Sequence, residues 1–403
     1  MTATARLVLL ATALGTSLGA GPGRTVVVHG QGTALGETPI LVRLDPPVTP
    51  GPCSLREIRE GAGNPRPASI LRDGGETYLA AVLEAVPASG EVRYRLEATP
   101  TGPGDRAAGI RVVAEGDDVA VRLDGALFTT YRARTGPKPF YYPLVGPTGR
   151  PITRSFPMAD VPGEKRDHPH QRSLWLTHGK VNGIDFWSEI PGHGSIRETS
   201  RSIVDGAPAA GRLRTTDDWL GPDGKVVCND ERVVTFYATA TGRVIDFDAT
   251  VRADHGPVVF GDTKEGMFGV RVATSMDVAS KGGGRITNSD GLTDEAAWGK
   301  PATWVDYSGP VDGETVGVAI LNRPGSFRHP TTWHVRPYGL FAANPFGWHD
   351  FGKKESGDHA IPAGESIRFG YRVILHRGGV GAAGLPAAYD AYARPPRVEV
   401  TTD

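Results

Sequence analysis

The sequence predicts an all-β protein in which a small β-sandwich module precedes a large antiparallel β-sandwich. Of the 403 residues, 54 are Gly and 33 are Pro, and both residues destabilise long helices. Short segments of alternating apolar and polar residues recur between Gly- and Pro-rich stretches, which is typical of strands. Strands do not alternate with helices along the chain, so a doubly wound nucleotide-binding fold is not expected.

The first predicted strands belong to a module of residues 24–107. They are expected at residues 25–29, 40–44, 78–83 and 91–98. The Pro-rich segments 46–52 and 62–67 are predicted to be loops, and residues 99–107 a linker.

Residues 108–380 are predicted to form the large sandwich. Its strands are expected at residues 119–123, 127–132, 174–178, 226–239, 244–251, 268–273, 315–321 and 366–375. Segments 243–252 and 366–375 alternate cleanly, as do antiparallel strands that bury one face. Residues 381–403 are predicted to be a short helix, at 384–393, and a tail.

The first twenty residues have the pattern of a secretory signal peptide. Arg6 precedes an apolar run at 7–14, and small residues continue to Ala20. We therefore expect export to the periplasm or the extracellular space. The two cysteines, Cys53 and Cys228, could then form a disulfide, or they could be separate buried thiols.

The charge balance bears on the class of partner. Lys and Arg number 44 against 45 Asp and Glu, which gives a formal net charge of −1. No polybasic run is present, so nucleic-acid binding is not expected. The N-terminal apolar run is too short for a membrane helix, and no other apolar stretch reaches the roughly 18 residues that one needs. The expected partner is a small-molecule or glycan substrate.

Histidines concentrate in two parts of the sequence. Eight of the eleven lie within residues 168–193 and 329–359. His168 and His170 are two residues apart in the segment DHPHQRSLW, so in an extended chain they project to the same side. Such a pair can transfer protons or bind a metal, whereas the alternative is ordinary core packing. Arg172 could bind polar substrate groups, and Tyr142 lies in a nearby aromatic stretch of the kind that lines sugar sites.

Two further segments carry polar side chains suited to a site. Lys264 and Glu265 lie in GDTKEGMFG, at 261–269, and could form an acid–base pair or a solvated turn. Residues 322–348 form a Pro-interrupted stretch rich in Trp, His, Arg and Tyr. Its candidate site residues are His329, Trp333, His334, Arg336, Tyr338 and Asn344.

Four segments together resemble a known family. KPFYYPLVGPTG, DHPHQRSLWLTHGKVNGIDFW, DTKEGMFGVR and HPTTWHVRPYGLFAANPFG, within about residues 110–380, resemble the PmoA-like family, whose name comes from a methane oxygenase. The resemblance implies a β-supersandwich similar to that of sugar mutarotases. By analogy it implies carbohydrate chemistry, and it supplies no residue roles.

The leading hypothesis is an exported carbohydrate-active enzyme, namely a hydrolase, lyase or epimerase that uses histidine acid–base catalysis. One partner would be His168 or His170, and the other His329 or His334. Glu265 is a candidate base. Lys264 or Arg336 would stabilise an oxyanion, and the substrate would be held by Trp333, Tyr338 and Asn344.

Two alternatives remain open from the sequence. In a metal-dependent enzyme, His168 and His170 would bind a divalent ion together with His329, His334 or Glu265. In a non-enzymatic glycan-binding protein, the aromatic residues would matter and paired titratable groups would not. The sequence makes no cofactor certain.

Overall fold

The computed structural model describes residues 23–61, 63–99, 108–240 and 242–402. Within these ranges the protein is all-β, with several antiparallel sheets and one short α-helix, which confirms the predicted fold class. The predicted signal peptide and residues 100–107 of the predicted linker lie outside the described residues. No helix of the described part is long and apolar enough to cross a bilayer.

Both ends of the chain build the N-terminal sheet. Its strands are β1 (Arg24–His29), β2 (Thr38–Leu44), β3 (Gly51–Glu57), β4 (Arg66–Asp73), β5 (Glu76–Leu83), β6 (Glu91–Ala98) and β25 (Arg397–Thr402). They lie in the order β2-β5-β4-β3-β6-β1-β25. The segment expected to be a C-terminal tail therefore supplies a strand, which pairs with β1 from Arg24–Thr402 to His29–Arg397.

Two eight-stranded sheets form the large sandwich. The front sheet contains β7 (Ile110–Glu115), β8 (Asp118–Leu123), β9 (Ala126–Arg132), β10 (Phe140–Tyr141), β11 (Leu174–His178), β17 (Gly266–Arg271), β21 (Trp333–Val335) and β22 (Leu340–Ala343). Its order is β21-β22-β17-β11-β10-β9-β8-β7.

The back sheet contains β12 (Ser195–Val204), β13 (Ala210–Leu220), β14 (Val226–Ala238), β15 (Gly242–Arg252), β18 (Arg285–Asn288), β19 (Trp304–Val311), β20 (Glu314–Asn322) and β24 (Ser366–Arg377). Its order is β12-β13-β14-β15-β24-β20-β19-β18. The strands β16 (Val258–Phe260) and β23 (His359–Ile361) pair separately, and helix α1 spans Leu385–Ala393.

The main core lies between the front and back sheets, where aromatic rings from both meet. Phe268 of β17 stacks on Tyr371 of β24 at 4.7 Å between ring centroids.

In the register of β11 with β17, Gly269 lies opposite Trp175. A Cβ at Gly269 would lie 2.8 Å from the Trp175 ring, so glycine allows this close approach.

The N-terminal sheet packs against the back sheet. Leu71 of β4 belongs to an apolar cluster with Tyr237 and Val244 of the back sheet. Beside it, Arg214 Nη2 of β13 donates to Asp73 Oδ2 of β4 at 2.8 Å. The module is thus fixed to the sandwich by an apolar contact and an ion pair.

The two cysteines are free and buried. Cys53 lies in the core of the N-terminal sheet, whereas Cys228 lies in the main core of the sandwich. Of the two expectations, the structure has the separate buried thiols. Burial raises the pKa of the Cys53 thiol to about 12, so it is protonated at neutral pH.

Candidate functional site

The candidate site lies on the face of the front sheet that points away from the back sheet. Successive strand residues point to opposite faces. In β10 and β11, Tyr141 and Leu174 therefore join the main core, while Phe140 and Trp175 form a second cluster on the opposite face. The half-buried side chains packed against that second cluster are Tyr142, Met158 and Tyr338.

His168 lies beside a carboxylate that two buried arginines hold. Its Nδ1 is 3.0 Å from Asp167 Oδ2. The other oxygen, Oδ1, accepts from Arg154 at 2.5 Å and from Arg271 at 2.7 Å. Burial alone would raise the pKa of Asp167, but Arg271, the hydrogen bond with His168 and Arg154 together lower it. Asp167 is therefore an anion that orients the His168 ring.

Arg154 also fixes the backbone at His168. Its guanidinium donates to the carbonyl oxygens of Asp167 at 2.7 Å and of His168 at 2.9 Å. His168 has φ +45°, a conformation that non-glycine residues rarely adopt. Since Arg154 is fully buried, its hydrogen bonds give this strained residue a rigid support.

Tyr338, from the segment 322–348, contacts His168, from the segment DHPHQRSLW. The rings of His168 and Tyr338 stack with centroids 5.1 Å apart and planes 3° apart. Arg271 Cζ lies 4.9 Å from the Tyr338 centroid. Gln171 hydrogen-bonds the Tyr338 side chain and accepts from Arg271 at 2.5 Å. The two segments thus form one hydrogen-bonded unit.

Glu265 and Lys264 lie in the loop before β17, where Glu265 interacts electrostatically with His168 and Lys264 with His334. The surface that these four side chains form with Tyr338 is called the cleft. Burial raises the pKa of the Glu265 carboxyl, although the positive charges of Lys264 and His168 oppose the shift. Lys264 Nζ is 3.7 Å from Glu265 Oε1. Asn344 Nδ2 holds the loop by donating to the carbonyl oxygens of Thr263 at 3.0 Å and Lys264 at 2.8 Å.

His334 and His170 are neutral rings at neutral pH. Trp298 Nε1 donates to His334 Nδ1 at 3.3 Å, so the proton of the neutral imidazole is on Nε2. Burial, with Arg336, Lys264 and His168, lowers the pKa of His334 to about 3. Burial, with Lys138 and His168, lowers the pKa of His170 to about 4. Both rings resist protonation, which leaves His168 as the candidate proton carrier.

Four of the predicted site residues have other contacts in the structure. His329 lies apart from the cluster, with its Nε2 3.0 Å from the hydroxyl of Tyr389 in α1. Trp333 is buried in the main core, where Nε1 donates to Ala302 O at 2.9 Å. Both ends of the Asn344 side-chain amide bind backbone groups. Nδ2 donates to the carbonyl oxygens of residues 263 and 264, and Oδ1 accepts from the backbone amides of residues 346 and 347. Arg172 is the fourth, in an ion pair with Glu189.

Arg172 forms an ion pair with Glu189. Its Nε and Nη2 donate to the two carboxylate oxygens of Glu189 at 3.0 and 2.8 Å. The buried Lys138 donates to the same carboxylate at 2.7 Å and to Trp187 O at 3.2 Å. Burial lowers the pKa of Lys138 to about 8, against the effect of Glu189. Arg172 therefore supports the wall of the cleft rather than a substrate.

The proposed metal set does not assemble. Among the described residues, no group of three or more His, Cys, Asp or Glu side chains is placed to hold a metal ion. The rings of His168 and His170 meet edge to face at 5.7 Å between centroids. Of the three candidates for a third ligand, His329 bonds Tyr389 instead.

Sequence reasoning missed the supports of the site. Arg154, Gln171 and Arg271 are buried and contact Asp167, Tyr338 or each other. Trp298, just after the 3-10 helix Asp294–Ala297, binds His334. The one signal for them in the sequence is a charged residue at the end of an apolar strand, as with Arg271 in GMFGVR.

Comparison with known proteins gives a family. Residues 118–390 match the family model DUF6807, described as a family of unknown function. The chain belongs to DUF6807. The resemblance to the PmoA-like family is therefore wrong: DUF6807 is the family whose model matches the segments on which it was based. No curated protein matches the sequence.

Several solved structures show distant likenesses to this DUF6807 member. An alpha-galactosidase from Lactobacillus brevis is 10% identical over 70% of this chain, with a TM-score of 0.35. A GH36 alpha-galactosidase from Geobacillus stearothermophilus is 11% identical over 68%, with a TM-score of 0.35. This chain spans 41% of the length of each. A galactose mutarotase-like protein from Lactobacillus casei ATCC 334 is 11% identical over 66% of this chain and 100% of its own, with a TM-score of 0.30.

Proposed function

We propose that this DUF6807 member is an exported carbohydrate-active enzyme that transfers protons, with His168 and Glu265 as its acid–base pair. One observation carries the proposal. An exposed imidazole, oriented by a clamped carboxylate, interacts electrostatically with a carboxyl group whose pKa is raised by burial. Titratable groups with unlike environments are the usual mark of an acid–base pair.

His168 and Glu265 differ in what their surroundings do to their protons. Asp167 accepts at Nδ1 of His168, so the opposite nitrogen, Nε2, points away from Asp167 and can exchange a proton with a substrate. Glu265 lies in a partly buried environment that favours its neutral form. One group can therefore accept a proton while the other donates one. General acid–base catalysis of this kind contributes about 10²–10⁴-fold to a rate.

The arrangement favours an epimerase or a lyase over a hydrolase. Most glycoside hydrolases use two carboxyl groups that flank the scissile bond. Here the carboxylate beside His168, Asp167, is bound by both Arg154 and Arg271. It therefore serves as an orienting anion, and the remaining pair consists of one imidazole and one carboxyl.

Half-buried aromatic rings support a carbohydrate as the substrate. Tyr142, Tyr338 and Trp298 lie around the cleft, and their faces suit the C–H surfaces of a sugar ring. His334 and His170, neutral at neutral pH, can hydrogen-bond hydroxyl groups. Lys264 and Arg336 supply positive charge where an oxyanion would form.

Proton exchange with solvent tests the proposal. The purified chain would be incubated in D₂O with neutral sugars, uronates and keto-sugars, and deuterium incorporation and anomer interconversion followed by ¹H NMR. We expect exchange on at least one sugar, reduced about 10²-fold or more by His168→Asn and by Glu265→Gln. His255→Asn, an exposed residue between β15 and β16, should match the wild type.

Two results would contradict the proposal. Sugar binding without exchange on any substrate would favour a glycan-binding protein. Exchange that persists in a folded His168→Asn variant, judged by circular dichroism, would remove His168 from the mechanism.

A further inference from the structure

Side chains of both charges lie at the site. Arg154 and Arg271 share the charge of Asp167. Glu265 interacts with the positive charges of Lys264 and His168 and with the carboxyl groups of Asp185 and Asp350. Lys264 Nζ lies 3.7 Å from Glu265 Oε1, so protonation of Glu265 would remove that ion pair.

Arg336 is a cation of this site that has no acidic partner among the described residues. In the described part of the chain, no Asp or Glu oxygen lies within 4.0 Å of its side-chain nitrogens. Its Cζ instead lies 5.5 Å from the centroid of Trp298 and 6.0 Å from that of Tyr338. A half-buried guanidinium held beside aromatic rings keeps its planar donors for an anion.

The backbone at Arg336 is fixed by the turn between β21 and β22. Arg336 N donates to Leu340 O at 2.7 Å, and Gly339 N donates to Arg336 O at 3.0 Å. The same turn presents Tyr338, which stacks on His168. The unpaired guanidinium is therefore held in one unit with the candidate proton carrier.

We infer that the substrate of this cleft is a sugar acid, such as a uronate or its glycoside, whose carboxylate pairs with Arg336 and Lys264. The inference rests on the proposed function and narrows it to one substrate class. A planar guanidinium binds a carboxylate through two parallel hydrogen bonds, and a neutral hydroxymethyl group cannot replace that pairing. The charge balance of the whole chain, near zero, gives no hint of this local preference.

A carboxylate in this position would also explain the acid–base pair. Removal of the proton from the carbon next to the carboxylate sends the electron pair into the carboxyl group, where the two cations stabilise the second negative charge. Return of a proton to the opposite face of that carbon completes an epimerisation. Alternatively, the electron pair forms a carbon–carbon double bond as the neighbouring oxygen substituent leaves with a proton. Neither course requires an oxidant or a reductant.

Matched pairs of ligands test the inference by binding and by exchange. Calorimetry would compare glucuronate with glucose and galacturonate with galactose, using the full chain and the His168→Asn variant to prevent turnover. We expect the acids to bind about 10–100-fold more tightly, as for a charge-assisted pair, and to lose this advantage with rising salt. Arg336→Gln should abolish the preference, and Arg336→Lys should restore part of it.

Arg285→Gln is the matched control, because this exposed residue of β18 removes the same charge away from the cleft. Equal binding of acids and neutral sugars would overturn the inference. Proton exchange on neutral sugars alone would also overturn it while leaving the proposed function intact. Tight binding of acids that depends on Arg336, without exchange on any sugar, would support the carboxylate site and contradict the proton transfer.

Discussion

Two of the buried charge clusters in the described part of the sandwich differ in their access to solvent. The site cluster consists of Arg154, Asp167 and Arg271, and the core cluster consists of Asp217, Asp230 and Arg232. In the site cluster, the carboxylate is 37% exposed and touches the ring of His168. In the core cluster, no side chain is more than 3% exposed.

The core cluster lies between the two sheets. Arg232 donates twice to Asp230, each time at 2.8 Å, and its Nε is 3.4 Å from Asp217 Oδ2. Trp219 Nε1 also donates to Asp230 at 2.7 Å. Burial raises the pKa of Asp217 to about 7, and Asp230 adds to this effect while Arg232 opposes it.

The comparison shows that a shifted pKa does not by itself identify a site. The pKa of Asp217 is shifted by its surroundings, yet it touches no cleft. Asp167 has the lowered pKa of an ordinary ion-paired carboxylate, and it qualifies for a role because His168 connects it to solvent. A titratable group indicates a functional site when it is partly buried and also accessible to solvent.

The largest effect is expected for removal of the core cation. Arg232→Met leaves Asp217 and Asp230 buried together with no positive charge between them. Loss of one partner from such a group destabilises a protein by about 3–5 kcal/mol. Denaturant-induced unfolding at pH 7 measures the loss.

The corresponding variant in the site cluster is Arg271→Met. It should destabilise the fold less, since Arg154 still pairs with Asp167 and Asp167 reaches water, but it should abolish proton exchange. If Arg271→Met were the more destabilising of the two, solvent access would not be what separates the clusters. Arg377→Met, in an exposed pair with Glu314, is the control and should change stability little.

The buried neutral ring of His334 should make the folded protein less stable in acid. The pKa of His334 is about 3 in the folded protein and near 6.5 when unfolded. Below pH 6.5 the unfolded chain therefore takes up a proton that the folded protein does not. This one residue should lower the free energy of unfolding by about 2 kcal/mol between pH 7 and pH 5.

His334→Gln should remove that part of the pH dependence, because glutamine can still accept from Trp298 but does not titrate. Urea unfolding of both proteins at pH 5, 6 and 7 isolates the contribution as a difference. Parallel pH profiles for the two proteins would show that His334 is not buried as a neutral ring.

Much of the fold can be predicted from the sequence, and the strands that were missed have physical explanations. Strands such as Leu174–His178 and Ser366–Arg377 were predicted closely. Strand β12 was missed because it is an edge strand whose side chains are mostly polar and half-buried. Strand β13 was missed because it points Thr215 and Asp217 into the core.

The Pro-rich segments misled the prediction in the N-terminal sheet. Strands β3 and β4 begin within 46–52 and 62–67, which were predicted to be loops. Pro52 lacks an amide hydrogen, but its carbonyl accepts from Thr99 at 3.2 Å. The role of the last strand, β25, could not be predicted, because its pairing with β1 joins residues at opposite ends of the chain.

For the candidate site, the sequence identified residue types better than their roles. The juxtaposition of His168, Glu265 and Tyr338 joins three distant segments, as the histidine-rich pattern suggested. Which histidine keeps an exchangeable proton depends on burial and on neighbouring charge. Neither can be predicted from the spacing of histidines along the sequence. The same holds for His329, whose partner Tyr389 comes from a helix about 60 residues later.

The smallest effect is expected for Asp217, and it has the opposite sign to that of His334. The pKa of Asp217 is about 7 in the folded protein, above its ordinary value of 3.8, so the folded state holds a proton that the unfolded chain releases. The resulting stability is present at low pH and is lost as the pH rises through about 7. Because Asp230 and Arg232 share the titration, we expect about 1–2 kcal/mol between pH 5 and pH 7.

Asp217→Asn should remove this loss, since the amide keeps the shape and can accept from Thr215 without titrating. Unfolding of both proteins at pH 5, 6, 7 and 8 provides the measurement. The variant should gain on the wild type as the pH rises to about 7 and gain little more by pH 8, whereas His334→Gln should gain as the pH falls. A wild type that shows no loss relative to Asp217→Asn would mean that Arg232 keeps Asp217 charged, and the core cluster would then resemble the site cluster in everything except access.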